Sequence, residues 1–122
     1  MQYLLLIYDN EDEMAQRAAA DPEAQAAFME DYRSFTAGII ADGSFKAGDA
    51  LHPVSTATSV RVRDGKPLVT DGPFAETREQ LGGYYLVDAR DLDHAIEIAQ
   101  GIPTVKTGTI EIRPIMVWEQ EG

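Results

Sequence analysis

Tyr3-Leu4-Leu5-Leu6-Ile7-Tyr8, closed by Asp9 and Asn10, is a continuous apolar run of strand length with aromatic ends. A strand with one wet face alternates apolar and polar side chains, so six apolar residues in succession describe a strand buried on both faces. The run is far shorter than the roughly 20 residues of a membrane span. It also lacks the basic lead-in and small-residue cleavage site of a secretory signal. The first element is therefore read as a central strand that needs cover on two sides.

Asn10 followed by Glu13 resembles a helix-capping arrangement, and Glu11 and Asp12 sit where a helix N-terminus favours negative charge. A short helix through about Ala19 is predicted. Asp21-Pro22 restarts it, since Pro suits the first helical position behind an Asp cap. Phe28, Tyr32, Phe35 and Ile39 then form one apolar stripe, and Gly43 stops the helix near Asp42. A strand interrupted by Gly48 is expected within Ser44 to Leu51, with His52, Pro53 and Ser55 in a connecting loop. Val60 and Val62 alternate with Arg61 and Arg63 before Asp64-Gly65, a tight hairpin turn leading into Pro67 to Thr70. Gly82-Gly83 lead into a strand over Tyr84 to Val87. Asp91 caps a helix with Leu92, Ala95, Ile96 and Ala99 on one face, and Thr109 to Trp118 is the expected last strand.

This order is the β-α-β-β-α-β plan of a ferredoxin-like α+β domain with an extra hairpin and an antiparallel sheet. Helices cover one face of such a sheet. Tyr3 to Tyr8, Tyr84 to Val87 and Ile115 to Trp118 are apolar at successive positions, which makes the other face apolar too. A second copy packed sheet against sheet, a homodimer, is the economical cover.

The 122 residues suit a single domain spanning 1–122, and no linker or internal repeat divides them. With 44% apolar and 25% charged residues the chain has ordinary globular composition, which excludes disordered and collagen-like classes. Ten Lys and Arg against 21 Asp and Glu give a net charge of −11, a surface that repels phosphate backbones and disfavours nucleic acid as a partner. The absence of cysteine removes disulfides and thiolate chemistry and fits a reducing compartment, and with the shortness of the apolar run a cytoplasmic protein with no membrane partner is expected.

From Asp71 to Tyr85 the chain reads DGPFAETREQLGGYY. This stretch resembles the DGPF branch of the YCII-related family, and the likeness extends to Met1 to Tyr8, Ser59 to Gly65 and Ile110 to Pro114. The resemblance implies a dimeric α+β barrel. It also implies a regulatory setting, because members of the branch often lie beside genes for extracytoplasmic-function sigma factors. The wider family is associated with a His on the first long helix and an Asp before a Pro ahead of the last strand. Here Tyr32 and Ile102 stand at those positions, so that dyad is not carried over. Related barrels include lactone isomerases, cofactor-independent monooxygenases and haem-degrading enzymes, among which fold alone does not choose.

Within the motif, Asp71 and Glu76 are candidate proton-transferring carboxylates and Arg78 a guanidinium for an anionic or enolate oxygen. The competing structural reading has Asp71 bracing the Gly72-Pro73 turn and Glu76, Arg78 and Glu79 solvated. Tyr32 is a candidate hydroxyl acid or donor, and Phe35, Phe74 and Tyr85 complete an expected ligand pocket; buried tyrosines equally serve as core aromatics. The two histidines, His52 and His94, lack metal-ligand spacing, so no metal is expected. Phosphate-loop, dinucleotide and serine-hydrolase signatures are missing, and no cofactor is expected. The sequence thus points to a homodimer with a small-molecule pocket and cofactor-independent acid–base chemistry, isomerase- or lyase-like. The alternative is a non-catalytic regulatory or sensing module of a sigma-factor pathway.

Overall fold

A computed structural model describes residues 1–75 and 77–118. It is a mixed α+β fold in which β1 (Gln2–Asn10), β2 (Phe45–Ala50), β5 (Glu79–Asp88) and β6 (Thr109–Pro114) form an antiparallel sheet ordered β2-β5-β1-β6. A separate ribbon pairs β3 (Thr58–Arg63) with β4 (Lys66–Asp71). The helices are α1 (Glu11–Ala19), α2 (Pro22–Ala41) and α3 (Leu92–Gln100).

Short-range chemistry sets the helix starts. The Asn10 side chain accepts from the amides of Asp12 and Glu13, Asp21 from that of Ala24, and Asp91 from that of His94, at 2.8 to 3.2 Å. Each bond satisfies an amide that the first turn leaves open, worth about 1 kcal/mol. At the ribbon tip Asp64 and Gly65 both take positive φ, 52° and 72°, the backbone of a primed hairpin turn.

β1 is central, bonded to β5 on one side and β6 on the other. Its inward series is Tyr3, Leu5, Ile7 and Asp9, all buried. Tyr3, Leu5 and Ile7 share one core with Ile39 of α2, Tyr85 and Val87 of β5, Ala95 and Ile98 of α3, and Ile102. The alternate residues Leu4, Leu6 and Tyr8 lie on the opposite face and are half-buried, as is Leu86 beside Leu4.

Three expectations change. The last strand ends at Pro114 rather than Trp118: the Ile115 amide bonds the Gln2 carbonyl, where β1 begins, so the partner strand runs out. Met116, Val117 and Trp118 are exposed. On α3 the buried residues are Ala95, Ile98 and Ala99, whereas Leu92 and Ile96 are exposed. Ala95, Ile98 and Ala99 fall at i, i+3 and i+4, so the inward stripe is turned toward Ile98. β5 starts earlier than expected, at Glu79, because Gln80 and Glu79 continue the ladder opposite Asp9 and Asn10.

Candidate functional site

A cavity of about 420 Å³ lies between α1, α2, the inward ends of β1 and β5, and the segment after β2. Most of its wall is apolar, including Ile7, Met14, Phe28, Met29, Phe45, Leu51 and Leu81. Gly48 makes room for one wall: a Cβ there would lie 2.6 Å from Cδ1 of Tyr85. The Tyr85 ring can therefore lie against β2, packed edge-on by Phe35 with centroids 5.3 Å apart. Its hydroxyl shares a 2.6 Å hydrogen bond with Thr36 Oγ1.

One corner is polar. Arg17 of α1 donates from Nη1 to Asp9 Oδ2 at 2.6 Å, and its guanidinium lies 4.0 Å from the centre of the Phe28 ring. Asp9 is 7% exposed, and its Oδ1 has no hydrogen-bond partner among the described residues. Nearby, the Tyr32 hydroxyl shares a 2.5 Å hydrogen bond with buried Thr104 Oγ1, from the turn Pro103–Lys106. His52 also borders the cavity. A carboxylate and a guanidinium in a mostly apolar wall, which also holds Asp49 accepting from the Tyr84 hydroxyl at 2.7 Å, give acceptors and a donor set, the usual composition of a small-molecule site.

Burial pushes the Tyr32 phenol above its ordinary value, the hydrogen bond from Thr104 opposes this, and the charges of Tyr85 and Asp9 add to it. Tyr32 is consequently a neutral phenol at physiological pH, a hydrogen-bonding group rather than a base. Because the folded state holds this proton more tightly, the unfolded chain ionises first as pH rises past about 10. The stabilisation is complete below that pH and is lost above it. Urea unfolding between pH 8 and 11 is expected to show the midpoint falling more steeply in the wild type than in Tyr32→Phe; equal slopes would count against a buried phenol.

The cavity unites Tyr32 and Tyr85 from the residues singled out in the sequence, with Phe35 behind Tyr85. Phe74 is 78% exposed and borders a neighbouring space of about 540 Å³ whose wall shares Leu51, His52, Pro53, Val54 and Leu81 with the first. Asp71 ends β4 on the exposed ribbon, opposite Thr58, and borders neither space. Arg78 is exposed, and its backbone carbonyl accepts from the Glu11 amide at 2.8 Å. Glu76 lies outside the described residues. Sequence reasoning missed Asp9, Arg17, Thr104 and the cavity position of His52. Strand alternation carried two residues past Ile7 is the signal that would have found Asp9.

Among the described residues, no group of three or more His, Cys, Asp or Glu is placed to hold a metal ion, and no helix is long and apolar enough to cross a membrane. Fold and site together define a small α+β protein with antiparallel sheets and a ligand-sized cavity whose wall carries a largely buried ion pair. Its sequence matches the YCII-related domain over residues 1–119, and the chain belongs to the YCII-related family. It is 32% identical over 121 residues to an uncharacterised protein of Rhizobium meliloti (strain 1021), a match covering 98% of this chain and 95% of that relative.

Proposed function

We propose that this chain binds a small oxygenated molecule in the 420 Å³ cavity and moves a proton on it without a cofactor, in isomerase- or lyase-like chemistry. The observation that carries this reading is the Asp9–Arg17 pair in the cavity wall. Desolvating two charges costs about as much as their attraction returns, so a buried ion pair contributes little to stability over an apolar pair of similar volume. Its value lies in the chemistry it offers. Asp9 takes a proton from carbon beside a carbonyl, Arg17 holds the oxygen on which charge develops, and the proton returns to a neighbouring carbon or to a leaving group. Tyr32 acts as a positioning residue through Thr104. The motif lines the cavity through Leu81 to Tyr85 and the neighbouring space through Phe74, while Asp71 and Arg78 are exposed and border neither.

The same proposal makes residues 1–122 one domain on the ferredoxin-like plan, with β3–β4 as the inserted hairpin and a second copy covering the open sheet face. The strand order β2-β5-β1-β6 supports the plan. Half-buried Leu4, Leu6 and Leu86 and exposed Val60, Val62, Leu68 and Val69 support the second copy, since such apolar surface calls for cover.

A thermal-shift screen against small lactones, quinones, phenols, hydroxy ketones and carboxylates tests the reading, because a ligand of the native state raises apparent stability. At least one class is expected to raise the melting temperature, and Met29→Trp, which fills the cavity from a half-exposed helix position, is expected to remove the shift. A flat response across the library would favour the regulatory module instead.

A further inference from the structure

We propose that the occupant of the cavity is an uncharged compound with an apolar body and a hydroxyl beside a carbonyl, an α-hydroxy ketone in its simplest form. This rests on reading the cavity as a ligand site. Charge comes first. The Arg17 guanidinium is already neutralised by Asp9 at 2.6 Å and lies over the Phe28 ring. A ligand carboxylate or phosphate would leave a net negative charge beside a buried carboxylate, where desolvation is poorly repaid. The chain's net charge of −11 adds a field that repels anions at longer range.

Hydrogen-bond capacity then fixes the polar groups. An ionised carboxylate only accepts and has about four lone-pair sites. Asp9 borders the cavity and accepts from Arg17 through Oδ2, while Oδ1 is buried with no partner among the described residues, so the carboxylate keeps unused acceptor capacity at the cavity wall. A guanidinium has five N–H groups, and Arg17 commits Nη1 to Asp9, which leaves donors for an acceptor. A ligand that meets both halves of one ion pair carries its donor and acceptor on adjacent atoms. The hydroxyls of Tyr32, Tyr85 and Tyr84 are bonded to Thr104, Thr36 and Asp49, and Asp49 and His52 border the cavity as exposed residues, so polar recognition in its buried part falls to the ion pair. Phe28, Met14, Met29 and Leu81 receive the apolar remainder.

Titration calorimetry with three matched probes tests this class. 2-Hydroxyacetophenone is uncharged with both groups, acetophenone lacks the hydroxyl, and mandelate is anionic. Wild type is expected to bind 2-hydroxyacetophenone at least tenfold more tightly than either of the others. In Asp9→Asn, which keeps the shape and unmasks Arg17, mandelate binding is expected to strengthen by tenfold or more. Arg17→Gln is expected to weaken 2-hydroxyacetophenone binding without restoring mandelate; the gain of mandelate binding in Asp9→Asn, which a misfolded chain cannot show, separates loss of the pair from loss of fold. Equal binding of acetophenone, preference for mandelate by wild type, or no binding of 2-hydroxyacetophenone would overturn the assigned class. The site itself would still stand if another compound gave a thermal shift abolished by Met29→Trp.

Discussion

In Asp9→Asn, exchange of the carbonyl-adjacent hydrogens of 2-hydroxyacetophenone for solvent deuterium is expected to fall about 10²- to 10⁴-fold, the usual contribution of a positioned general base. Asn has nearly the volume of Asp and still accepts a hydrogen bond, but it cannot take a proton. Arg17 would lose its counter-charge while keeping its packing on Phe28 at 4.0 Å, so the cavity should persist. Proton NMR in deuterated buffer reads the exchange directly, without knowledge of the final product. Asp71→Asn supplies the contrast, because Asp71 lies on the exposed ribbon. Loss of exchange in Asp71→Asn with Asp9→Asn unaffected would move the chemistry to the motif and overturn the role of Asp9.

The largest effect on stability is expected at Gly108. This residue joins the turn Pro103–Lys106 to β6, and its amide bonds the Thr104 carbonyl at 2.7 Å. A Cβ there would collide with the carbonyl oxygen of Tyr8 and approach Cα of Asp9 to 3.1 Å. Both are main-chain atoms of the central strand and cannot rotate aside. Gly108→Ala must therefore push the turn off β1, taking Thr104 from Tyr32, and a cost of about 3 kcal/mol or more is expected. Gly38 lies within α2, and a methyl group on its Cα would meet nothing within 4 Å. There the same substitution removes backbone entropy from the unfolded chain and should stabilise by about 0.5 to 1 kcal/mol. Urea denaturation of the two variants should show shifts of opposite sign; a neutral Gly108→Ala would contradict the close approach of turn and strand.

Features governed by neighbours in sequence were legible. The Asn10, Asp21 and Asp91 caps, the Asp64-Gly65 turn and the β1 run each depend on a few adjacent residues. The polar corner was not legible, because Asp9, Arg17, Tyr32 and Thr104 come together only through tertiary packing; the Tyr32–Thr104 bond spans 72 positions. A charge usually marks the end of a strand, so the sequence closes β1 at Asp9, whereas the ladder continues there opposite Gln80. The end of β6 likewise depended on where its partner strand began, which no property of Ile115 to Trp118 discloses. The polar front of the motif stands out in the sequence, yet Asp71 and Arg78 are exposed, and it is the apolar and glycine end, Leu81 to Tyr85, that lines the cavity.

Among the described residues the β3–β4 ribbon pairs only with itself, and its base is fastened by the Gly72 amide to the Ala57 carbonyl at 2.7 Å and by Ser59 Oγ to the Gly72 carbonyl at 2.8 Å. Chain entry and exit are thus held together independently of what lies beyond them. Changes in the ribbon's length or side chains leave the register of the four-stranded sheet untouched, so this segment can diverge among relatives at a pace of its own. The ribbon is a part of the molecule on which new surface specificity can be written without touching a residue of the cavity wall.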